Sequence, residues 1–186
     1  MRAMEYRPEL VGGHLGVDLV NTVAWRLDER RRVDRLADPD NLRKWLTAAG
    51  LEASDRETAL YDDLVRCRET AYAVLRPLAV GDEADAKDLA VLRELVGDAV
   101  RKASLVNARP LTWSADTVVA RVRLAVWRLF EDEDLNRLRQ CDDDGCGWLF
   151  LDRSKNGSRR WCSSADCGNR ARARRHYQRR HAGASI

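Results

Sequence analysis

Cys141-Asp142-Asp143-Asp144-Gly145-Cys146-Gly147-Trp148-Leu149-Phe150-Leu151-Asp152, continued past a short loop by Arg159-Arg160-Trp161-Cys162-Ser163-Ser164-Ala165-Asp166-Cys167-Gly168-Asn169-Arg170, holds four of the chain's five cysteines. They fall in two pairs, with four residues inside each pair and fifteen between the pairs. Two short chelate loops of this kind bring four thiolates around one Zn2+, which is satisfied by a sulfur tetrahedron at about 2.3 Å from the metal. Disulfides are the competing reading, but they belong to small secreted domains. This chain has 186 residues, and Met1 to Leu10 lack the apolar core of a secretory signal. One structural zinc held by Cys141, Cys146, Cys162 and Cys167 is therefore expected.

The residues between the pairs give the module a layout. Gly147 to Asp152 reads as a short strand, and Asn156-Gly157 signals a hairpin, because a type I′ turn needs positive φ at both central positions. Arg159 to Trp161 would be the returning strand. Ser163 with Asp166 three residues later makes a helix start that puts Cys167 in the first turn. Knuckle, hairpin and helix in this order form a treble-clef-like finger.

Residues 153–181 carry ten Lys or Arg against one acid, Asp166, a net charge of +9; the rest of the chain is then at −6, since the total is +3. So one-sided a cluster makes a local field that attracts polyanions. In the helix after Cys167, Ala173 and Tyr177 are an i,i+4 pair suited to lie on the hairpin, and arginines fill most of the remaining circumference. The expected nucleic-acid contacts are Arg159 and Arg160 on phosphates and Arg170, Arg174 and Arg175 toward a groove, with Arg172, Arg179 and Arg180 completing the surface. Arginine's planar fork suits both phosphate and the O6/N7 edge of guanine. His176 and His181 are surplus to a four-thiolate site. Trp148 and Trp161 read as packing for a small finger rather than as stacking platforms for single-stranded RNA.

Cys146-Gly147-Trp148-Leu149-Phe150-Leu151-Asp152, Arg160-Trp161-Cys162-Ser163 and Cys167-Gly168-Asn169-Arg170 with the basic helix behind it closely resemble the CGNR zinc-finger family. The segment Gly13-His14-Leu15-Gly16-Val17-Asp18-Leu19-Val20-Asn21-Thr22 is similar to the opening of the ABATE domain that precedes this finger in bacterial stress-induced transcription regulators. The resemblance implies a bacterial regulator with four zinc-binding cysteines and a DNA-binding role.

The first 138 residues read as one helical body with no internal repeat. Leu15, Leu19, Val20, Val23 and Leu27 form one stripe of a helix; Asp38-Pro39 opens a second, which stops at Gly50. Ser54, with Glu57 at the capping-box position, opens a long helix to about Leu78. A turn at Gly81-Asp82 leads to a helix over residues 84–102, and residues 103–113 suggest a short strand pair. Ser114 or Asp116 starts a last helix from Val118, continuing past Glu131–Asp134 directly into Cys141. Cys67 takes a core position, as free cysteines usually do. The fold class is thus mainly α (α+β): a helical domain over 1–138 with a short β-hairpin, then a finger over 139–186.

No stretch approaches the roughly 20 apolar residues of a membrane span. A Gly-rich phosphate loop and a His-Glu-x-x-His site are both missing from the sequence, and a four-thiolate zinc offers no open position for water, so an enzyme is not expected. The expectation is a cytoplasmic, zinc-dependent nucleic-acid-binding regulator, double-stranded DNA being the first partner and RNA or the ribosome the alternative. Asp18, Asn21 and Thr22 are candidate contacts for a small-molecule effector, the other reading being hydrogen bonds to nearby backbone. A homodimer would present two fingers to spaced half-sites.

Overall fold

The computed structural model describes residues 6–52 and 60–182, the side chains of 181 and 182 excepted. The capping box expected at Ser54 and Glu57 lies outside the described residues.

Helix α1 spans Leu15–Val20 and is capped by His14, whose Nδ1 accepts the Gly16 N–H at 3.1 Å. The helix expected to reach Leu27 stops here. The Thr22 hydroxyl donates to Leu19 C=O at 2.7 Å, and the chain turns out into β1 (Val23–Ala24), paired antiparallel with β2 (Val33–Asp34). The apolar stripe was real, but helix and strand share it: Leu19, Val20 and Val23 are buried while Leu27 is exposed. Helix α2 (Pro39–Ala48) begins as read, with the Asp38 carboxylate accepting the N–H groups of Asp40 and Asn41 ahead of the terminating Gly50 at φ +67°.

Helices α3 (Leu60–Val80) and α4 (Ala86–Lys102) follow, the second capped by Asp85. The strand pair then appears as β3 (Ser104–Ala108) and β4 (Leu111–Ser114), and α5 (Val118–Asp132) starts on a Thr117 cap in place of Ser114 or Asp116. Side chains from α1, α3, α4 and α5 interdigitate in one core that includes Val17, Leu64, Leu75, Val122, Val126 and Leu129. Cys67 is fully buried there, and desolvation pushes its thiol up to about 12, so it behaves as a small apolar residue.

The link to the finger differs from expectation. Helix α5 ends at Asp132; Asp134 then caps a single 3-10 turn, Leu135–Arg137, and the chain reaches Cys141 as strand β5 (Leu138–Gln140). Strand β5 pairs antiparallel with β6 (Leu149–Leu151) in the register Leu138–Leu151, Arg139–Phe150, Gln140–Leu149. The strand preceding the first cysteine pair, not Arg159–Trp161, is therefore the partner of the Gly147–Asp152 stretch. Among the two central residues of Asn156-Gly157 only Gly157 has positive φ, so a type I′ hairpin does not form. The buried Asp152 carboxylate organises that loop instead, accepting the N–H groups of Ser154 and Arg159 at 2.8 and 3.0 Å. Leu138, Leu149 and Leu151 belong to the core of the body, so body and finger share apolar contacts. Helix α6 (Cys167–Ala182) closes the chain.

Candidate metal centre and its basic helix

The cysteine pair Cys141/Cys146 sits at the end of the β5–β6 hairpin, where Cys141 N–H still donates to Trp148 C=O at 2.8 Å. Cys162 comes from the loop before α6, and Cys167 is the first residue of that helix. All four are buried, and their ligand atoms lie within 4.8 Å of one another. Sulfur separations of 3.8 Å (Cys146–Cys162), 3.7 Å (Cys146–Cys167) and 3.4 Å (Cys162–Cys167) are near the edge of about 3.8 Å that a tetrahedron of radius about 2.3 Å requires. Hydrogen bonds from Cys146, then Cys162 and Cys167, hold the Cys141 thiol far below the usual range. Cys162 and Cys167 are pushed far up, first by Cys141. Four thiols this close resist joint ionisation, and a dication converts that repulsion into shared attraction. The donor set fits one structural zinc, and four thiolates leave no coordination position for substrate.

The residues around the sulfurs account for the sequence motif. In Cys167-Gly168-Asn169-Arg170 the first residue is a ligand, and Gly168 lies so near the Trp161 ring that a Cβ would stand 3.4 Å from it. Asn169 donates to Ala165 C=O and accepts from Arg172. Arg170 donates to Cys167 Sγ at 2.9 Å and to Asp143 Oδ2 at 2.9 Å. Asp143 has a fully buried side chain and also pairs with Arg174 at 2.5 Å, and these two guanidiniums hold its carboxyl below the usual range against the opposing effect of burial. Sequence reasoning missed this residue. The acidic run Asp142-Asp143-Asp144 inside a finger that is otherwise basic was the signal.

The arginines expected to contact nucleic acid divide into two groups. Arg159 is turned inward: it donates to the carbonyls of Val11, Trp161 and Cys162 and stacks on Phe150. Arg170 and Arg174 are tied to Asp143, Arg160 pairs with Asp142 at 2.7 Å, and Arg172 reaches Ser164 C=O. Arg175, Arg179 and Arg180 are exposed and have no carboxylate partner among the described residues. Ala173 and Tyr177 do not lie on the hairpin; both are exposed, Tyr177 by 65%. His176 is exposed and outside the metal cluster. Trp161 packs on the cysteines, and Trp148 Nε1 donates to Val23 C=O at 2.8 Å.

Asp18, Asn21 and Thr22 are all buried and all bonded internally. Asp18 accepts the Gly12 N–H at 2.7 Å, and burial raises its carboxyl to about 6. Asn21 bonds both backbone groups of Leu149. The Thr22 hydroxyl accepts from Arg68, part of a buried network in which Arg68 pairs with Asp34 and Glu69, and Arg26 pairs with Glu69. The seam continues with Arg26 N–H on Cys146 C=O (3.0 Å), Leu27 N–H on Gly145 C=O (3.1 Å) and Leu151 N–H on Gly12 C=O (2.9 Å). Gly147, at φ +69°, passes so close that a Cβ would stand 2.9 Å from Arg26 Cβ and Leu27 Cγ. Trp25 takes φ +55°, a conformation that costs a non-glycine residue on the order of 1–3 kcal/mol. A cleft of about 620 Å³ opens at the seam, lined by Tyr6, Glu9, Trp25, Arg35, Trp148 and Arg170 among others.

A buried four-cysteine centre, with a basic helix starting at its last ligand and a helical body fused to its hairpin, defines a two-part zinc-finger protein. Residues 137–180 match the CGNR zinc finger, and residues 13–140 match ABATE, described as "Putative stress-induced transcription regulator". The chain belongs to the ABATE family and carries a CGNR finger behind its body. No curated protein matches it. No helix among the described residues is long and apolar enough to cross a membrane.

Proposed function

We propose that this protein is a non-enzymatic, cytoplasmic transcription regulator that binds double-stranded DNA through α6. The observation that carries the reading is the division among the arginines. Arg170 and Arg174 are spent on fixing the base of the helix to the knuckle, while Arg175, Arg179 and Arg180 extend beyond it with no acidic partner among the described residues. Zinc would hold the first turn through Cys167, and a 16-residue helix extends about 24 Å from there, enough to follow a groove or backbone. Exposed guanidiniums without carboxylate partners, on a helix braced at its base, suit phosphate.

Duplex DNA is preferred over single-stranded RNA because the two finger tryptophans are engaged in packing and in a bond to Val23, which leaves no free stacking platform on them. The test is competition of duplex DNA against structured and single-stranded RNA at matched salt, with binding followed over a salt series. Each neutralised phosphate adds about 0.9 to the magnitude of the slope of log K against log salt, so Arg175, Arg179 and Arg180 alone give a slope of roughly −3. A flat salt response rejects the reading, and preference for RNA selects the ribosome- or RNA-associated alternative. Recognition of spaced half-sites calls for a homodimer, which sedimentation on DNA would register. A sensor role for the body would use the cleft at the seam, and a thermal-shift screen of metabolites tests it.

A further inference from the structure

The loop between β1 and β2 carries Glu29-Arg30-Arg31-Arg32, a basic run inside the part of the chain whose net charge is negative. All four residues are exposed. The loop is an ordered turn: Asp28 N–H donates to Trp25 C=O, and the N–H groups of Arg31 and Arg32 both donate to Asp28 C=O at 3.1 and 2.9 Å. The Asp28 carboxylate accepts Arg30 N–H and lies 3.5 Å from the Arg31 guanidinium. Arg30 and Arg32 have no carboxylate partner among the described residues. Three adjacent like charges repel one another, and a counter-charge from outside the chain relieves that repulsion.

The position of this turn gives the run its meaning. Trp25, in its left-handed conformation, sets its ring against two guanidiniums, with Arg31 at 3.1 Å from the ring centroid and Arg170 of α6 at 4.6 Å. The turn is therefore joined to the base of the finger helix through one aromatic ring. Its neighbours Arg26 and Leu27 are bonded to the zinc knuckle, and Gly145 of the knuckle packs against Asp28. We infer that Arg30 and Arg32, on a turn anchored by Arg31, form a second phosphate-binding patch contiguous with α6, so that the nucleic-acid surface crosses the seam from the finger onto the body. This inference rests on the nucleic-acid reading above. It gives the body a direct part in binding, and it explains a Trp held against its backbone preference in contact with two cations.

The test compares the full zinc-loaded chain with Arg30→Gln/Arg32→Gln, which spares the Trp25 stack, and with Lys87→Gln/Arg93→Gln on α4, which removes the same charge from a helix packed on α3 and α5. Binding to a short random-sequence duplex is followed over a salt series, beside zinc content and melting temperature. The loop variant is expected to keep its zinc and melting temperature, to bind about tenfold more weakly and to lose about 2 from the magnitude of the salt slope, since each phosphate contact is worth about 0.9. The α4 variant is expected to bind as wild type. If the loop variant keeps the wild-type slope while Arg179→Gln/Arg180→Gln loses binding, the surface ends at the finger and the inference is overturned. Equal loss in the α4 variant overturns it too, since net charge alone would then be responsible. A wild-type chain that binds no duplex at any salt rejects the nucleic-acid reading itself.

Discussion

Asn21 and Leu149, separated by 128 positions, are joined by two hydrogen bonds: the Asn21 side-chain amide donates to Leu149 C=O at 2.8 Å and its oxygen accepts Leu149 N–H at 2.9 Å. A side-chain amide thus pairs with the finger strand as a neighbouring strand would. The end of α1 is sealed onto the hairpin that carries the first two zinc ligands. Asn21→Ala leaves both buried backbone groups of Leu149 unpaired, which is expected to cost about 2–4 kcal/mol. Asn21→Asp removes the donor and buries a charge, and should do no better. Urea unfolding measures both; wild-type stability in either would show the clamp to be dispensable.

The four cysteines are expected to be the only zinc ligands. The expected stoichiometry is one zinc per chain. Each of Cys141→Ser, Cys146→Ser, Cys162→Ser and Cys167→Ser should lose metal, whereas Cys67→Ala and His176→Ala should retain it. Because Trp161 packs on the cysteines and Trp148 bonds to the body, chelation should alter tryptophan fluorescence as the finger loosens. Metal loss in His176→Ala would require a different ligand set.

These expectations trace how far the sequence could be read. The metal centre was legible because ligand spacing is local, and α2 and α4 were legible because caps and apolar periods are local too; the apolar face of α5 was legible, but its Thr117 cap and its end at Asp132 were not, and the expected cap of α3 lies outside the described residues. The end of α1 was not legible either. Leu15, Leu19, Val20 and Val23 satisfy a helical period, yet the chain leaves the helix after Val20 because Asn21 and Thr22 bond to residues far away, Leu149 and Arg68. The partner of β6 was misread for a similar reason. Asn156-Gly157 is a strong local hairpin signal, but Asp152 captures the N–H of Arg159 with its side chain, and the open edge of β6 goes to Leu138–Gln140. Among the arginines, composition gave the charge of the surface. It could not say that the buried Asp143 would consume Arg170 and Arg174, or that Arg159 would turn to backbone carbonyls.

Asp18 should give stability an unusual pH dependence. Burial raises its carboxyl to about 6 in the folded protein, from an ordinary value near 4, despite the Gly12 N–H bond. The folded state therefore binds the proton more tightly than the unfolded chain. The stabilisation from that proton is complete below about pH 4 and is lost as pH rises through 6, a change of about 2–3 kcal/mol. Asp18→Asn keeps an acceptor for Gly12 and cannot ionise. It should be more stable than wild type at pH 8 and should show a flatter profile between pH 4 and 7 in thermal unfolding. A destabilised Asp18→Asn at pH 8 would mean that the carboxylate is needed charged.

Arg170 separates bracing from binding. It touches a zinc ligand, Cys167 Sγ, and the buried Asp143 at once, so it offsets the negative charge of four thiolates and fixes the first turn of α6. Groups in this position typically alter metal affinity 10–100-fold when removed. Arg170→Ala is therefore expected to release zinc to a competing chelator more readily by about that factor, and Arg170→Lys, which keeps the charge but not the two-pronged reach, to fall between. DNA binding in both should decline in step with zinc occupancy and recover when zinc is supplied in excess. Arg179→Gln/Arg180→Gln should do the reverse, losing DNA affinity with zinc retention unchanged. If Arg170→Ala held zinc as wild type does yet lost DNA binding, Arg170 would be a phosphate contact and the division between bracing and binding arginines would be wrong.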